Sequence, residues 1–187
     1  MRKKLILASN SPRRRELLST LGFEFEVKSS NAAEKECGSD LFEVVIANAV
    51  AKALAVSREE RAALVLGADT AIIFEGRLIG KPADNADARR MLAAFSGKTH
   101  LVVTGIALAE DGKVAEKYFE VSEVKFKTLA PADITRYMEQ VFVLDKAGAY
   151  AIQEHGDIIV DSCSGSVENV IGLPLEKLAG LLAEHLA

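Results

Sequence analysis

The chain has 187 residues, of which 49% are hydrophobic, and a formal net charge of -4 at pH 7. This length and composition predict a single domain, residues 1–187, with a buried core, and the negative charge argues against the broad basic face of a nucleic-acid or anionic-membrane partner. The apolar run near the N-terminus is too short for a signal sequence or a membrane span, and two cysteines without a CxxC spacing fit a reducing compartment, so we expect a cytoplasmic protein.

The first predicted elements are a short strand, a tight turn and a helix. The apolar run of residues 5–8 predicts a buried strand that enters a polar turn at residues 9–11. Ser11 is a good N-cap, Pro12 suits the first helical position, and Gly22 marks the end of the helix.

Helices and strands alternate along the rest of the chain. After a second strand at residues 23–27 and a polar loop at 29–40, helices are predicted over residues 42–55, 83–95, 131–140 and 173–186. Strands are predicted over residues 64–74, 100–109 and 114–127, with a short strand after the hairpin turn at 75–77. Asp111-Gly112 is a strong signal for a second hairpin. Interleaved helices and hairpins predict an α/β domain on a mixed sheet.

The helix after the first strand begins with an unusual run of charge. Arg13, Arg14 and Arg15 stand at its N-terminus, where the backbone dipole favours anions. A bound phosphate would reverse this unfavourable effect, because arginine grips phosphate with paired hydrogen bonds and the turn adds backbone N–H groups and the hydroxyls of Ser9 and Ser11. We therefore predict a phosphate cradle that includes Arg13 and Arg14, and we interpret Arg15 as a solvated surface residue.

Asp69 and Thr70 interrupt an otherwise apolar strand. A carboxylate buried there without partners would be costly, so it must be compensated. Asp69 is either a general base or metal-directed carboxylate in a cleft, or a turn or bulge residue bonded to local N–H groups, and the sequence favours neither.

Three lysines, Lys52, Lys81 and Lys146, stand alone among small or apolar neighbours. This setting is typical of surface lysines, and clustering around one anion would be needed to make them binding residues. The three histidines are too scattered for a zinc site, so a divalent ion is expected to arrive with substrate phosphates.

Six segments follow one another between residues 5 and 175: LILASNSPRRRELL, LGADT, GKP, SGKTH, DKAGAYAIQ and NVIGLPL. Together they resemble the Maf family of nucleoside triphosphate pyrophosphatases. The resemblance implies a fold similar to inosine triphosphate pyrophosphatases, with an elongated mixed β-sheet, flanking helices and two lobes around a cleft. It also implies cleavage of a nucleoside triphosphate between the α and β phosphates, with Mg²⁺ or Mn²⁺ as cofactor. It leaves open whether the protein forms a homodimer.

The same resemblance assigns roles to individual residues. Asp69 matches the family's proposed proton acceptor and a metal ligand. Arg13, Thr70 and Gln153 match positions linked to substrate choice, and the segment ending in Gln153 is similar to the branch that acts on dTTP and UTP. The other matched cleft positions are Ser9, Arg14, Lys52 and Lys81.

Two segments depart from the family pattern. Ala32 and Ala33 precede Glu34 where an acidic pair is usual, and Ala47-Asn48-Ala49 replaces the usual Arg-Leu-Ala ahead of the lysine. Metal binding by the first segment therefore depends on Glu34 or Glu36. The rival hypothesis is a nucleotide-sensing regulator of cell division that binds nucleotides without turnover.

Overall fold

The computed structural model describes residues 3–35, 37, 38 and 40–186. Seven strands form one sheet: β1 (Lys4–Leu7), β2 (Phe25–Val27), β3 (Ala63–Phe74), β4 (Arg77–Ile79), β5 (Thr99–Glu110), β6 (Lys113–Phe126) and β7 (Val160–Ser164). The helices are α1 (Pro12–Ser19), α2 (Leu41–Ser57), α3 (Asn85–Phe95), α4 (Pro131–Gln140), α5 (Gly156–Ile159), α6 (Val167–Ile171) and α7 (Leu175–Leu186). None of the helices in the described part of the chain combines the length and apolar character that a membrane crossing needs.

The sheet is mixed, as predicted. Its order is β2-β1-β3-β5-β6-β7, and β4 pairs with the far end of β3. The strand β1 runs parallel to β2 and β3, while the other pairs are antiparallel. The long strands β3, β5 and β6 therefore form the centre of the sheet, and the N-terminal β1 lies beside β3.

Local signals explain where the first helices begin. The Ser11 side chain accepts a hydrogen bond from the backbone N–H of Arg14, and Pro12 takes the first position of α1. The helix α2 begins in the same way, because the carboxylate of Asp40 accepts from the N–H groups of Phe42 and Glu43. These caps agree with the predicted helices, whose bounds differ from the observed ones by about two residues.

The strand β3 is continuous, and its bounds agree with the predicted strand at residues 64–74, including the polar residues in its middle. Every residue from Val65 to Ile73 pairs with β5, and Asp69 lies opposite Gly105. Asp69 is therefore neither a turn nor a bulge residue, and its side chain leaves a regular strand. The strand tolerates it because side chains from α2 supply the partners that water would otherwise supply.

Glycines let α2 pack directly on the central strands. A Cβ atom at Gly67 would collide with the carbonyl oxygen of Ala49 and lie 2.7 Å from the backbone nitrogen of Ala53. A Cβ atom at Gly105 would lie 2.8 Å from the carbonyl oxygen of Val45. The helix backbone thus rests on the sheet next to Asp69, which brings the side chains of α2 within reach of the carboxylate.

Buried apolar side chains form separate clusters on the two sides of the site. One cluster fills the space between α3, α4 and the ends of β3, β5 and β6. Another packs α1 and α7 against β1, β3 and β5, and a third lies under α2. The polar centre of β3 lies between these clusters, in agreement with the expected arrangement of two lobes around a cleft.

The segment 156–171 contains α5, β7 and α6, which the sequence analysis did not predict. These elements have four or five residues each. They are too short to show a helical or strand periodicity, so the sequence indicated only a glycine-rich region here.

Candidate active site

A cleft of about 870 Å³ opens at the middle of β3. Its walls come from the turn after β1, the first turn of α1, the loop after β4 and the segment 145–154. This volume is in the range of nucleotide-sized ligand sites, which span roughly 300 to 1,000 Å³. Apolar side chains such as Ile72, Val102 and Tyr150 line part of the cleft, and charged groups line the rest.

All of the predicted site residues that the structure describes line this one cleft: Ser9, Ser11, Arg13, Arg14, Glu34, Lys52, Asp69, Thr70, Lys81 and Gln153. Glu36, the alternative to Glu34, lies outside the described residues. Arg15 is exposed outside the cleft, as predicted. The structure therefore brings the predicted residues together, while their individual roles stay predictions.

Asp69 and Glu34 share one ammonium group. The Nζ atom of Lys52 lies 2.7 Å from Asp69 Oδ1 and 2.7 Å from Glu34 Oε1. The hydrogen bond from Lys52 is the main reason why the pKa of Glu34 is lowered from its usual value. The side chain of Lys52 is only 13% exposed and is paired with two carboxylates, so the interpretation of this lysine as a surface residue is wrong.

The second oxygen of Asp69 has its own donor. Asn48 Nδ2 donates to Asp69 Oδ2 at 3.0 Å, from the position on α2 one turn before Lys52. Asn48 departs from the family pattern and was not among the predicted site residues. The signal was present, because residues four apart on a helix share a face.

Arg14 acts as a clamp between three parts of the chain. Its Nε donates to the carbonyl of Gly172 at 2.9 Å, and its two terminal nitrogens donate to Ser9 Oγ and Thr70 Oγ1 at 3.3 and 2.9 Å. Burial lowers the pKa of Arg14 from its usual value, and the nearby charges of Asp69 and Glu34 oppose this effect. Arg14 therefore joins α1, β3 and the C-terminal segment in addition to facing the cleft.

The hydroxyl of Thr70 belongs to a chain of hydrogen bonds. It accepts from Arg14 and lies 2.9 Å from Thr104 Oγ1, which is fully buried and donates to the carbonyl of Asn169. Thr104 was not predicted as a site residue, and its place opposite Thr70 on β5 becomes evident from the strand register.

The cleft holds two further cations, Arg13 and Lys81. Among the described residues, neither Arg13 nor Lys81 has a hydrogen-bond or ion-pair partner for its side chain, although both line the cleft. The hydroxyls of Ser9 and Ser11 accept from backbone N–H groups in the adjoining turn, so each keeps its own proton available for a ligand. This side of the cleft is therefore suited to an anion.

Lys146 is buried in the wall of the cleft, so its interpretation as a surface lysine is wrong. Only 5% of the residue is exposed. Its ammonium donates to the carbonyl of Phe142 at 2.7 Å and lies 2.8 and 3.3 Å from carboxylate oxygens of Asp145 and Glu154. These partners hold the segment that carries the exposed Gln153.

Curated relatives cover nearly the whole chain. A protein from Gloeobacter violaceus named dTTP/UTP pyrophosphatase is 46% identical over 187 residues, which span 98% of this chain and 97% of the relative. A protein of the same name from Akkermansia muciniphila is 47% identical, over 93% of this chain and 92% of the relative.

Solved structures confirm the fold. The Staphylococcus aureus Ham1 protein superposes with a TM-score of 0.54 at 16% identity, over 97% of this chain and 99% of that chain. A HAM1 protein from Coxiella burnetii gives a TM-score of 0.52 at 19% identity, over the same shares of both chains. The family model described as Maf-like protein matches residues 4–185. From this match and the curated relatives, the chain belongs to the Maf-like protein family.

Proposed function

We propose that the protein hydrolyses dTTP and UTP to the nucleoside monophosphate and pyrophosphate. The observation that carries this proposal is a carboxylate, Asp69, fixed in the wall of a cleft that also presents two cations, Arg13 and Lys81, without bonded partners in the described part of the chain. The names of the curated relatives supply the class of substrate.

The reaction requires a water molecule to attack the α-phosphorus. The new bond joins the water oxygen to that phosphorus, and the bond to the oxygen between the α and β phosphates breaks, so pyrophosphate leaves with the electron pair. Asp69 orients the water and accepts its proton, as a carboxylate within hydrogen-bond reach can. Negative charge then gathers on the leaving pyrophosphate, and Arg13, Lys52 and Lys81 stabilise it because they already face the cleft.

The donor set of the cleft fits a divalent cation that is shared with substrate. The described residues hold no group of three or more His, Cys, Asp or Glu side chains arranged for a metal. Asp69 and Glu34 nevertheless place two carboxylates around one point, now taken by the ammonium of Lys52. Mg²⁺ is commonly held by one or two carboxylates together with substrate phosphates, and these two side chains would hold it here. When bound, it would neutralise phosphate charge.

We assign recognition of the pyrimidine base to Gln153 and Thr70. Gln153 is exposed in the cleft, and its amide offers both a donor and an acceptor to a uracil or thymine edge. Thr70 contributes indirectly, because its hydroxyl is engaged by Arg14 and Thr104. The cytoplasmic location, a homodimer and a role in cell division stay predictions from the sequence.

Replacing Asp69 with Asn tests the catalytic carboxylate. The shape is kept and the charge is lost, so pyrophosphate release should fall by about 100- to 10,000-fold, the usual contribution of a general base. Affinity for a non-hydrolysable dTTP analogue, measured by calorimetry, should remain. The control is Asp161→Asn, which removes a surface carboxylate that also pairs with a lysine. Undiminished turnover by Asp69→Asn would refute the role of Asp69.

A panel of triphosphates with Mg²⁺ or Mn²⁺ separates the enzyme from the sensor. Release of pyrophosphate from dTTP and UTP in preference to purine nucleotides supports the proposal. Measurable binding without release from any nucleotide supports the nucleotide-sensing regulator. This rival hypothesis stays in the test because one carboxylate of the usual acidic pair is missing or displaced where Ala32 and Ala33 precede Glu34.

A further inference from the structure

Asn48 is a buried polar residue in the Ala- and Val-rich helix α2. It is 5% exposed, and every hydrogen-bonding group of its side chain is used. Its Nδ2 donates to Asp69 Oδ2 at 3.0 Å and to the carbonyl of Lys35 at 3.0 Å. Its Oδ1 accepts from the backbone N–H of Lys35 at 2.8 Å. One amide thus contacts both the central strand and the loop before α2.

These contacts fix the orientation of the Asp69 carboxylate. Lys52 donates to Oδ1 and Asn48 donates to Oδ2, so each oxygen has a separate donor on the same helix. Rotation of the carboxylate about its last bond would break both hydrogen bonds. The side chain is therefore held in one plane relative to the cleft.

The same amide also holds the loop that carries Glu34. The two hydrogen bonds engage both the N–H and the carbonyl of Lys35, as the backbone of a neighbouring strand would. Glu34 precedes it directly and reaches Lys52 at 2.7 Å. A leucine, the usual residue at position 48 in the family pattern, could make none of these hydrogen bonds.

We infer that Asn48 is a positioning residue, which holds the Asp69 carboxylate and the loop that carries Glu34 in the orientation that catalysis needs. This inference rests on the proposed function. It assigns a purpose to a departure from the family pattern: the Asn48 amide holds a loop in which one carboxylate of the usual acidic pair is missing or displaced. Asn48 lies behind the carboxylate and acts on the reaction through Asp69 and Glu34.

Three variants test the inference. Asn48→Leu removes all three hydrogen bonds and keeps the number and branching of the side-chain heavy atoms. Asn48→Asp keeps an acceptor for the N–H of Lys35 but has no donor for Asp69. The matched control is Ser57→Ala, because Ser57 is a fully buried polar residue of the same helix that accepts from a loop N–H, that of Gly112, at the other end of the helix.

Steady-state kinetics with dTTP and hydrogen exchange of the Lys35 amide give two separate readouts. For Asn48→Leu, kcat should fall by about 10- to 100-fold, as expected of a misplaced catalytic group, while KM changes little. Exchange at Lys35 should become about tenfold faster, which corresponds to the loss of one hydrogen bond. Asn48→Asp should show a similar fall in kcat with exchange close to that of the wild type, and Ser57→Ala should keep kcat and exchange at Lys35.

The outcomes distinguish this inference from the proposed function. An Asn48→Leu variant with wild-type kcat overturns the inference and leaves the proposed function intact. Unchanged exchange at Lys35 overturns the role of Asn48 in holding the loop, whatever the kinetics show. A wild-type protein that releases no pyrophosphate from any triphosphate overturns the proposed function and, with it, the catalytic part of this inference.

Discussion

Arg13 and Arg14 are neighbours in the sequence but differ in their contacts in the structure. Arg14 is committed to the carbonyl of Gly172 and to the hydroxyls of Ser9 and Thr70. Arg13 lines the cleft without a bonded partner among the described residues. The run of arginines at a helix N-terminus predicts an anion site. Which arginine is held by the protein and which is free to bind depends on contacts to residues far away in the sequence.

Alanine at each position should separate these two roles. Arg13→Ala should raise the KM for dTTP about 10- to 100-fold, because charged hydrogen bonds to phosphate are lost. The melting temperature should stay unchanged. Arg14→Ala should lower the free energy of unfolding by at least about 2 kcal/mol, because three acceptors lose a charged donor. Thermal and denaturant unfolding beside kinetics would check both, and equal effects of the two variants would contradict the assignment.

Glu34 gives a prediction about the cation. If Glu34 and Asp69 hold a divalent ion with the substrate phosphates, Glu34→Gln should raise the Mg²⁺ or Mn²⁺ concentration for half-maximal activity by about 10- to 100-fold. Activity at saturating cation should recover in large part, because Asp69 is retained. A titration of activity against cation concentration checks this, and an unchanged midpoint would remove Glu34 from the metal site.

At the scale of elements, capping residues and turns were the most reliable signals. The N-cap at Ser11 and the hairpin at Asp111-Gly112 have the predicted form, because both depend on neighbouring residues alone. For Asp69, in the polar centre of β3, the sequence left a cleft carboxylate and a turn or bulge residue as open alternatives, because the partners of Asp69 come from α2, which is distant in the sequence. Short elements in the segment 156–171 lack the length that a periodic pattern needs.

The contact between α2 and the sheet should be sensitive to a single methyl group. Gly67→Ala would place a Cβ atom against the backbone of Ala49 and Ala53, which cannot move without displacing the helix. We expect a loss of about 1 to 3 kcal/mol of stability and lower kcat, because Lys52 moves with the helix away from Asp69. Denaturant unfolding and pyrophosphate release measure the two effects.

The control for this glycine is Gly180→Ala in α7. Gly180 is exposed within the helix, and a Cβ atom there meets no other atom within 4 Å. Alanine at this position should stabilise the protein by roughly 0.5 to 1 kcal/mol, because glycine is a poor helix former. If both variants destabilise equally, close packing of α2 is not the reason for the glycine at position 67.

At the scale of the whole molecule, family resemblance predicted which residues meet in the cleft. Residues as far apart as Ser9 and Gln153 line the same space, which no local pattern could have shown. The resemblance did not predict the hydrogen bonds that hold the site, since Asn48, Thr104 and Lys146 contribute through strand register and helix packing. Those contacts arise from tertiary structure and are specific to the side chains present.

His100 should make the stability of the whole fold depend on pH. It is 2% exposed, stacks on Phe95 and bonds to Tyr150, and burial lowers its pKa to about 4. The unfolded chain gains a proton below about pH 6.5, before the folded chain does, so stability is present above that pH and is lost as pH falls toward 4. Between pH 7.5 and 5 this amounts to about 2 kcal/mol.

Denaturant unfolding at those two pH values, for the wild type and His100→Gln, checks this prediction. Glutamine does not titrate, so the fall in stability on acidification should shrink by about 2 kcal/mol even if the variant is less stable at both pH values. Replacement of the exposed His155 with Asn serves as the control. An identical pH dependence for wild type and His100→Gln would contradict the prediction.

The bond from Arg14 to the carbonyl of Gly172 joins residues that are 158 positions apart in the chain. Arg14 is synthesised well before its acceptor Gly172. Closing so long a loop costs entropy, and this cost slows the formation of the contact. Until Gly172 has been synthesised, the guanidinium of Arg14 lacks this acceptor. The contact that holds Arg14 in the wall of the cleft is therefore completed only after residue 172 has been made and has folded onto α1.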